Sequence, residues 1–301
     1  MDNLKKEEIL EIYNSEEFAR LNYLNEGKIT VKDKKRILQS IAYNTLGIYQ
    51  NIDNPRTLNE KIQWMRLYYR NQLISVCCDK YAVKEYISRE IGNEYVARLY
   101  GVYDDADEID FDALPKQFAL KVNTSAGYNI IVKDKSKLDI DSAKCKLNNW
   151  VQPWRNCYYR TFDIGYKSVK SKIIAEEYLD IASNPIEYKL FCFNGKVDFA
   201  IIDLDYFGKD PKRAFCDRNW NEVPFKFGKM PKVSLPKEPR NFRKMLELAD
   251  LLATPFPFVR IDFYDVNGKI YFGELTFYSG DGVSHIRPVE WDEKLGQKIH
   301  F

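Results

Sequence analysis

The chain has 301 residues, with 46 Lys and Arg against 44 Asp and Glu and a formal net charge of +2. That length supports a sizeable core and about two domains, and 45% hydrophobic with 30% charged residues is an ordinary globular composition. The near-balance of charge excludes a dedicated nucleic-acid binder, which needs a strong basic excess, but leaves room for a small phosphate ligand.

Residues 1–92 read as helices of mixed charge. Thr57-Leu58-Asn59-Glu60, after Pro55, is a capping box that opens the run IQWMRLYY. Asp79 reads as the N-cap of a further helix, with Lys80 in its first turn. Val83, Tyr86, Ile87 and Ile91 recur at helical spacing, and Gly92 is the stop. From about residue 95 the pattern changes to strands, expected over 118–122, 129–132, 172–179, 188–193, 196–203, 258–264 and 269–278. Helices are expected over 142–150 and 241–253, the second placing Phe242, Met245, Leu246, Ala249 and Leu252 on one face. Residues 228–240 form a Pro- and Lys-rich connector. Helices with mostly hairpin-linked strands predict an α+β class, not an alternating parallel sheet.

The opening MDNLKKEEIL carries charges where a leader peptide needs an apolar core, and no stretch approaches a membrane span. A cytoplasmic chain is the expectation. Cys77, Cys78, Cys145, Cys157, Cys192 and Cys216 show neither CxxC nor zinc spacing, so reduced cysteines are expected. With His285 and His300 the only histidines, a His-dependent triad finds no support.

The segment VRIDFYDVNGKIYFGELTFY carries the most chemistry. A three-residue loop, Val266-Asn267-Gly268, would pair Asp265 with Lys269. Arg260, Asp262, Phe272, Glu274 and Thr276 then share one face, and Val259, Ile261, Phe263, Tyr271, Leu275 and Phe277 share the other. In that register Asp262 and Glu274 are diagonal neighbours, close enough to converge on Mg²⁺. A solvated face with an Arg260–Glu274 pair is the plain alternative.

Lys121 is embedded in the apolar strand FALKV, so its ammonium needs an anionic partner if that side is covered. The loop after it, Asn123-Thr124-Ser125-Ala126-Gly127, offers small polar groups to phosphate, though it is not a Walker A sequence. The strand IIAEEYLD ends by presenting Glu176 and Glu177 before Tyr178 and Leu179. Such a segment can offer backbone to adenine and a carboxylate to ribose.

Taken in order, Asp79-Lys80, Lys121 with its loop, 176–179, Glu187 with Lys189, and Arg260-x-Asp262 with Glu274-x-Thr276 resemble the ATP-grasp superfamily. The blocks TLNEKIQWMRLYYRN, DKYAVKEYI, FALKVN, YKLFCFNGKVDF, FVRIDFYDVNGKIYFGELTFY and EWDEKLGQKI resemble the TupA-like ATP-grasp family over roughly residues 55–301. The resemblance implies an α+β ATP-grasp fold of two lobes: a helical region 1–92, a small lobe 93–182 and a large lobe 183–301. It implies that ATP is held by Lys80, Lys121, Asn123, Ser125 and Gly127 at its phosphates. Glu176, Glu177, Tyr178 and Leu179 would form the adenine hinge, with Glu187 at the ribose. Mg²⁺ would sit on Asp262, Glu274 and Thr276, the last standing where many members carry Asn. Arg260 would steady the transferring phosphoryl group, with Lys189 and Arg213 as further cationic contacts.

The function so implied is an ATP-dependent carboxylate–amine ligase working through an acyl phosphate. Its implied substrates are a uronic acid of a surface polysaccharide or its precursor and an amino acid or other amine. Polysaccharide-assembly proteins are the implied partners. A second reading is a metal-dependent glycosyltransferase, with the strand-end Asp203-Leu204-Asp205 holding a nucleotide-sugar diphosphate. An ATP-grasp kinase that stops at phosphoryl transfer is a third, and a non-catalytic assembly partner a fourth.

Overall fold

The computed structural model describes residues 15–181, 186–205 and 208–301. The opening MDNLKKEEIL of the expected helical region and the expected boundary at 182/183 lie outside these residues. In chain order, the helices α1 (Glu16–Leu24), α2 (Val31–Leu46), α3 (Leu58–Tyr68), α4 (Gln72–Cys78) and α5 (Ala82–Glu90) come first. Strands β1 (Leu99–Tyr103), β2 (Phe118–Val122) and β3 (Asn129–Val132) follow, then helices α6 (Ile140–Trp150) and α7 (Cys157–Thr161). Next come β4 (Ile173–Glu177), β5 (Ile186–Phe193), β6 (Lys196–Leu204), β7 (Lys212–Asp217) and β8 (Lys226–Phe227). Helix α8 (Phe242–Ala253), β9 (Phe258–Val266), β10 (Lys269–Thr276), β11 (Ile286–Arg287) and α9 (Glu290–Gly296) complete the chain. None of the cysteines is joined in a disulfide. Among the described residues, no helix is long and apolar enough to cross a membrane.

The described residues divide into two compact units, the first from 15–34, 71–86 and 97–179 and the second from 35–70, 87–96 and 180–301. In the first, an antiparallel sheet in the order β1-β4-β2-β3 buries one face. Phe118, Leu120, Ile173 and Ala175 pack there with Leu147 of α6 and with Phe111 and Leu114. The alternate positions of the same strands, Lys121 and Glu176, lie on the opposite face. Asp79 closes α4 as its C-cap and also caps the helical stretch that follows, as expected: its carbonyl accepts from the Val83 amide at 2.9 Å and its carboxylate from the Tyr81 amide at 2.8 Å. It thereby stitches α4 to the approach of α5.

In the second unit a five-stranded antiparallel sheet runs β10-β9-β5-β6-β7, beside a two-stranded ribbon of β11 and β8. The capping box Thr57/Glu60 forms at the start of α3 as its sequence requires. Helix α8 buries Phe242, Met245, Leu246, Ala249 and Leu252 and packs on β5, β6 and β9. Each of the larger of these side chains contributes roughly 1.5–3 kcal/mol of burial.

The β9–β10 hairpin departs from the expected register. Asn267 and Gly268, with φ of 53° and 82°, form a two-residue type I′ turn, and Lys269 pairs with Val266, not Asp265. A bulge at Gly273 then shifts the ladder between Phe272 and Glu274. Phe272 lands opposite Phe263 and Tyr271 opposite Tyr264, so these two aromatics exchange the faces expected of them. Beyond the bulge, Glu274 lies directly opposite Asp262 and Thr276 opposite Arg260. The expected diagonal between the two carboxylates becomes a direct cross-strand pair.

Candidate active site

Charged residues cross one end of the five-stranded sheet on a single face. Glu274 of β10 pairs with Asp262 of β9, which pairs with Lys189 of the central β5. Two residues along β5, Glu187 pairs with Asp203 of β6, which pairs with Arg213 of β7. Strand alternation puts Glu187 and Lys189 on the same side, so the cross-strand partners converge there. The other face of these strands, including Leu190, Ala200, Ile202, Ile261 and Phe263, is apolar and buried.

Arg260 grips Asp262 with two bonds, Nε to Oδ1 and Nη2 to Oδ2, both 2.7 Å, and the same Nη2 reaches Glu274 Oε1 at 2.5 Å. Lys189 lies 3.4 Å from Asp262 and 3.6 Å from Asp203 and pairs with Glu187. Arg213 clasps Asp203 through Nε at 2.6 Å and Nη2 at 3.1 Å. The Tyr264 hydroxyl donates to Glu187 at 2.9 Å. Burial pushes the Asp262 carboxyl above its usual range even though Arg260 and Lys189 pull the other way. Burial opposes the charge on Lys189 and on Arg260, but the Asp262 carboxylate outweighs it, and both pKa values rise. Both cations therefore stay charged.

Four carboxylates here face three cations, a net negative cluster built from hard oxygen donors. Among the described residues no three acidic, His or Cys side chains stand together as a preformed metal site. Mg²⁺ needs no such cage, since one or two carboxylates with water and substrate phosphates complete its octahedron. Asp262 and Glu274 already converge on one guanidinium nitrogen, and the Thr276 hydroxyl donates to the same Glu274 oxygen at 2.8 Å. The donor chemistry fits a hard divalent cation.

In the first unit the anionic partner required by Lys121 is Glu176, at 2.5 Å across the β2–β4 pair. Lys84 of α5 takes the other Glu176 oxygen at 2.7 Å. Burial raises the Glu176 carboxyl, but the two lysines override it and hold it at about 2. Lys80 donates to the Ser125 carbonyl. The side chains of Asn123, Thr124 and Ser125 are turned inward. Asn123 bonds Asp79, the Lys170 carbonyl and the Lys172 amide, Thr124 bonds Ser171, and Ser125 donates to the Arg155 carbonyl. Ala126 and Gly127 form the exposed tip, where Gly127 has φ 79°. Glu177 and Tyr178 line an open recess of about 580 Å³ with Tyr100, Lys116 and Gln117, and Leu179 is half-buried.

The TupA-like ATPgrasp family profile matches residues 60–300, most of the chain. The chain belongs to that family. Its α+β architecture is accordingly the ATP-grasp fold, with helices ahead of the matched region. Several solved ATP-grasp structures are similar to it at low identity. D-alanine–D-alanine ligase from Bacillus anthracis is 20% identical, over 68% of this chain and 59% of that one, at a TM-score of 0.41. The corresponding ligase from Helicobacter pylori is 17% identical, over 75% and 62%, at 0.41. The ATP-grasp ligase PsnB, solved with minimal precursor, Mg and ADP, is 10% identical, over 74% and 58%, at 0.38. The chain thus spans about 59% and 62% of the two D-alanine–D-alanine ligases. No curated protein matches it.

For this TupA-like ATP-grasp chain, sequence reasoning missed Lys84, Tyr264 and Ser279. Lys84 stands four residues after Lys80 in DKYAVKEYI, a helical spacing that could have singled it out. Tyr264 follows Asp262 by two, on the charged face of the same strand. Ser279, whose hydroxyl accepts from Arg260 at 3.4 Å, gave no local signal.

Proposed function

We propose that the chain is an ATP-dependent carboxylate–amine ligase. The observation that carries the reading is the pair Asp262 and Glu274 closing on one nitrogen of Arg260, within a chain of the ATP-grasp family. In the first half-reaction a substrate carboxylate oxygen attacks the γ-phosphorus of ATP, the bond to the β–γ bridging oxygen breaks, and ADP leaves. In the second, an amine attacks the carbonyl carbon of the acyl phosphate. An amide forms, inorganic phosphate leaves with the acyl C–O electron pair, and the amine proton passes to phosphate or water. Mg²⁺ bound to Asp262 and Glu274, with Thr276 beside them, would neutralise phosphate charge during the transfer.

Lys80 and Lys121 take up phosphate charge, with the backbone at Gly127 and the frame built by Asn123 and Ser125. Glu176, Glu177, Tyr178 and Leu179 serve the adenine, and Glu187 the ribose. Arg260 stabilises charge on the transferring group, and Lys189 and Arg213 keep the neighbouring carboxylates compensated and oriented. No side-chain nucleophile is needed, in keeping with a chain that has two histidines. Family likeness supports a uronic acid of a surface polysaccharide as the carboxylate and an amino acid as the amine. The test is a pooled screen of uronic acids and amino acids with Mg-ATP, read by product mass and by ADP and phosphate release. Release that needs both a carboxylate and an amine is expected. Phosphorylated sugar with no amine incorporated would replace the ligase with a kinase.

A further inference from the structure

Helix α3 buries polar side chains where helices ordinarily bury leucine or isoleucine. Asn59, Gln63 and Arg66 recur at i, i+4 and i+7, on one side of the helix, and are 1%, 0% and 1% exposed. All three bond the chain just after β10. There Gly280, Asp281 and Gly282 have φ of 58°, 55° and 64°, three left-handed residues in succession. Gly280 and Gly282 adopt this conformation freely, whereas Asp281 does so at a cost that its surroundings must offset.

Arg66 Nη2 donates to the Asp281 carboxylate at 3.0 Å, and Gln63 Nε2 donates to the Asp281 carbonyl at 2.8 Å. Asn59 exchanges two bonds with the Ser284 backbone, at 2.8 and 3.0 Å. Gln50 adds a bond to the Gly282 carbonyl at 2.6 Å. A Cβ on Gly282 would lie 3.0 Å from the Asn59 carbonyl and the Gln63 side chain, so turn and helix meet with no space between them. The turn begins at Ser279, 2% exposed, whose hydroxyl accepts from Arg260 Nη1 at 3.4 Å. Ser279 is the only neutral side chain bonded to Arg260 among the described residues.

We propose that Arg66 is a positioning residue for Arg260: it pins the turn Ser279–Gly282 and thereby the Ser279 hydroxyl that aims the Arg260 guanidinium. The role of Arg260 rests on the ligase reading, whereas the clamp rests on the geometry alone. A fully buried cation whose anion belongs to the turn resists release of that turn, because release breaks its 3.0 Å pair with the Asp281 carboxylate.

Arg66→Lys keeps the charge and loses the planar fork. In this variant the amides of 280–284 should exchange hydrogen at least roughly tenfold faster than in the wild-type chain. The kcat for ADP release should fall at least roughly tenfold with KM for ATP unchanged. Combined with Ser279→Ala, it should lose no more kcat than Ser279→Ala alone, since both act on one path. Unchanged exchange, or additive losses, overturns the proposal. If the wild-type chain releases no ADP with any carboxylate, the ligase reading falls and exchange alone judges the clamp, which stands if exchange is faster and falls if it is not. Should Arg66→Lys fail to fold, Asp281→Asn breaks the same pair from its exposed end and is read by the same measurements.

Discussion

Glu274 stands directly opposite Asp262 in the β9–β10 ladder, and Nη2 of Arg260 bonds both carboxylates. The two acids share a partner but not an environment: the Asp262 side chain is fully buried, whereas that of Glu274 is 51% exposed. Asp262→Ala leaves Lys189 and Arg260 facing a vacated interior position, a loss of about 3–5 kcal/mol. Glu274→Gln, at the exposed end, costs about 1 kcal/mol or less. Both variants should abolish carboxylate-dependent ADP release, but only the first should shift the urea midpoint substantially. A folded Glu274→Gln chain that turns over at the wild-type rate would remove Glu274 from the proposed metal ligands.

Gly273 sets that cross-strand pairing. A Cβ there would sit 3.0 Å from both the Asp262 carbonyl oxygen and the Tyr264 ring. Gly273→Ala therefore overpacks the bulge, at about 1–3 kcal/mol, and displaces Glu274 relative to Asp262. Gly268, with φ 82° and open space around its Cα, is the control. Gly268→Ala strains the turn by about 1 kcal/mol but leaves the pairing beyond the bulge intact. Turnover should fall in Gly273→Ala and persist in Gly268→Ala, with chemical denaturation measuring the stability cost of each.

The contrast between these glycines marks what the sequence made legible. Period-two alternation separated Arg260 and Asp262 from Val259, Ile261 and Phe263, because burying one face leaves little freedom. Register was harder, since Val-Asn-Gly and Asn-Gly are both workable turns and Gly273 looks like any strand glycine until its partner strand is known. The lysine embedded in the apolar strand FALKV announced its need for an anion. Identifying Glu176 as that anion required the strand order β1-β4-β2-β3, a long-range fact that no local pattern carries. Short strands such as β1 and β7, with half-buried positions in place of clean alternation, escaped for the same reason.

Glu176 also predicts an acid limb of stability. Its folded carboxyl is held at about 2, against an ordinary 4.5, by Lys121 and Lys84 acting against burial. A depressed carboxyl contributes stability that is fully present above the unfolded value and is lost as pH falls through the folded one. The window is therefore from about pH 4.5 down to about 2, and the contribution is on the order of 3 kcal/mol. The stability difference between wild type and Glu176→Gln should be constant above about pH 5 and shrink steadily below it. Denaturant titrations across that range measure it. A difference that ignores pH would mean that the lysines do not hold the carboxylate ionised.

Asp203 and Asp205 decide between the ligase and a metal-dependent glycosyltransferase. Both oxygens of Asp203 are bonded by Arg213, and its carboxylate has no exposed surface. Asp205 lies two residues on, in a left-handed conformation with φ 53°, and accepts from the Asp210 amide at 3.0 Å. The two carboxylates are committed to different partners, one compensating the half-buried guanidinium of Arg213 and the other accepting from the Asp210 amide. Arg213→Met should cost about 3–5 kcal/mol, because Asp203 keeps only the more distant Lys189. Asp205→Asn preserves a carbonyl acceptor for the Asp210 amide and should leave ADP release at the wild-type rate. Neither wild type nor variants should hydrolyse a nucleotide sugar in the presence of Mn²⁺. Hydrolysis by the wild-type chain that Asp205→Asn abolishes would show that Asp205 turns from its amide to a metal-bound diphosphate, and would move the chemistry to the end of β6.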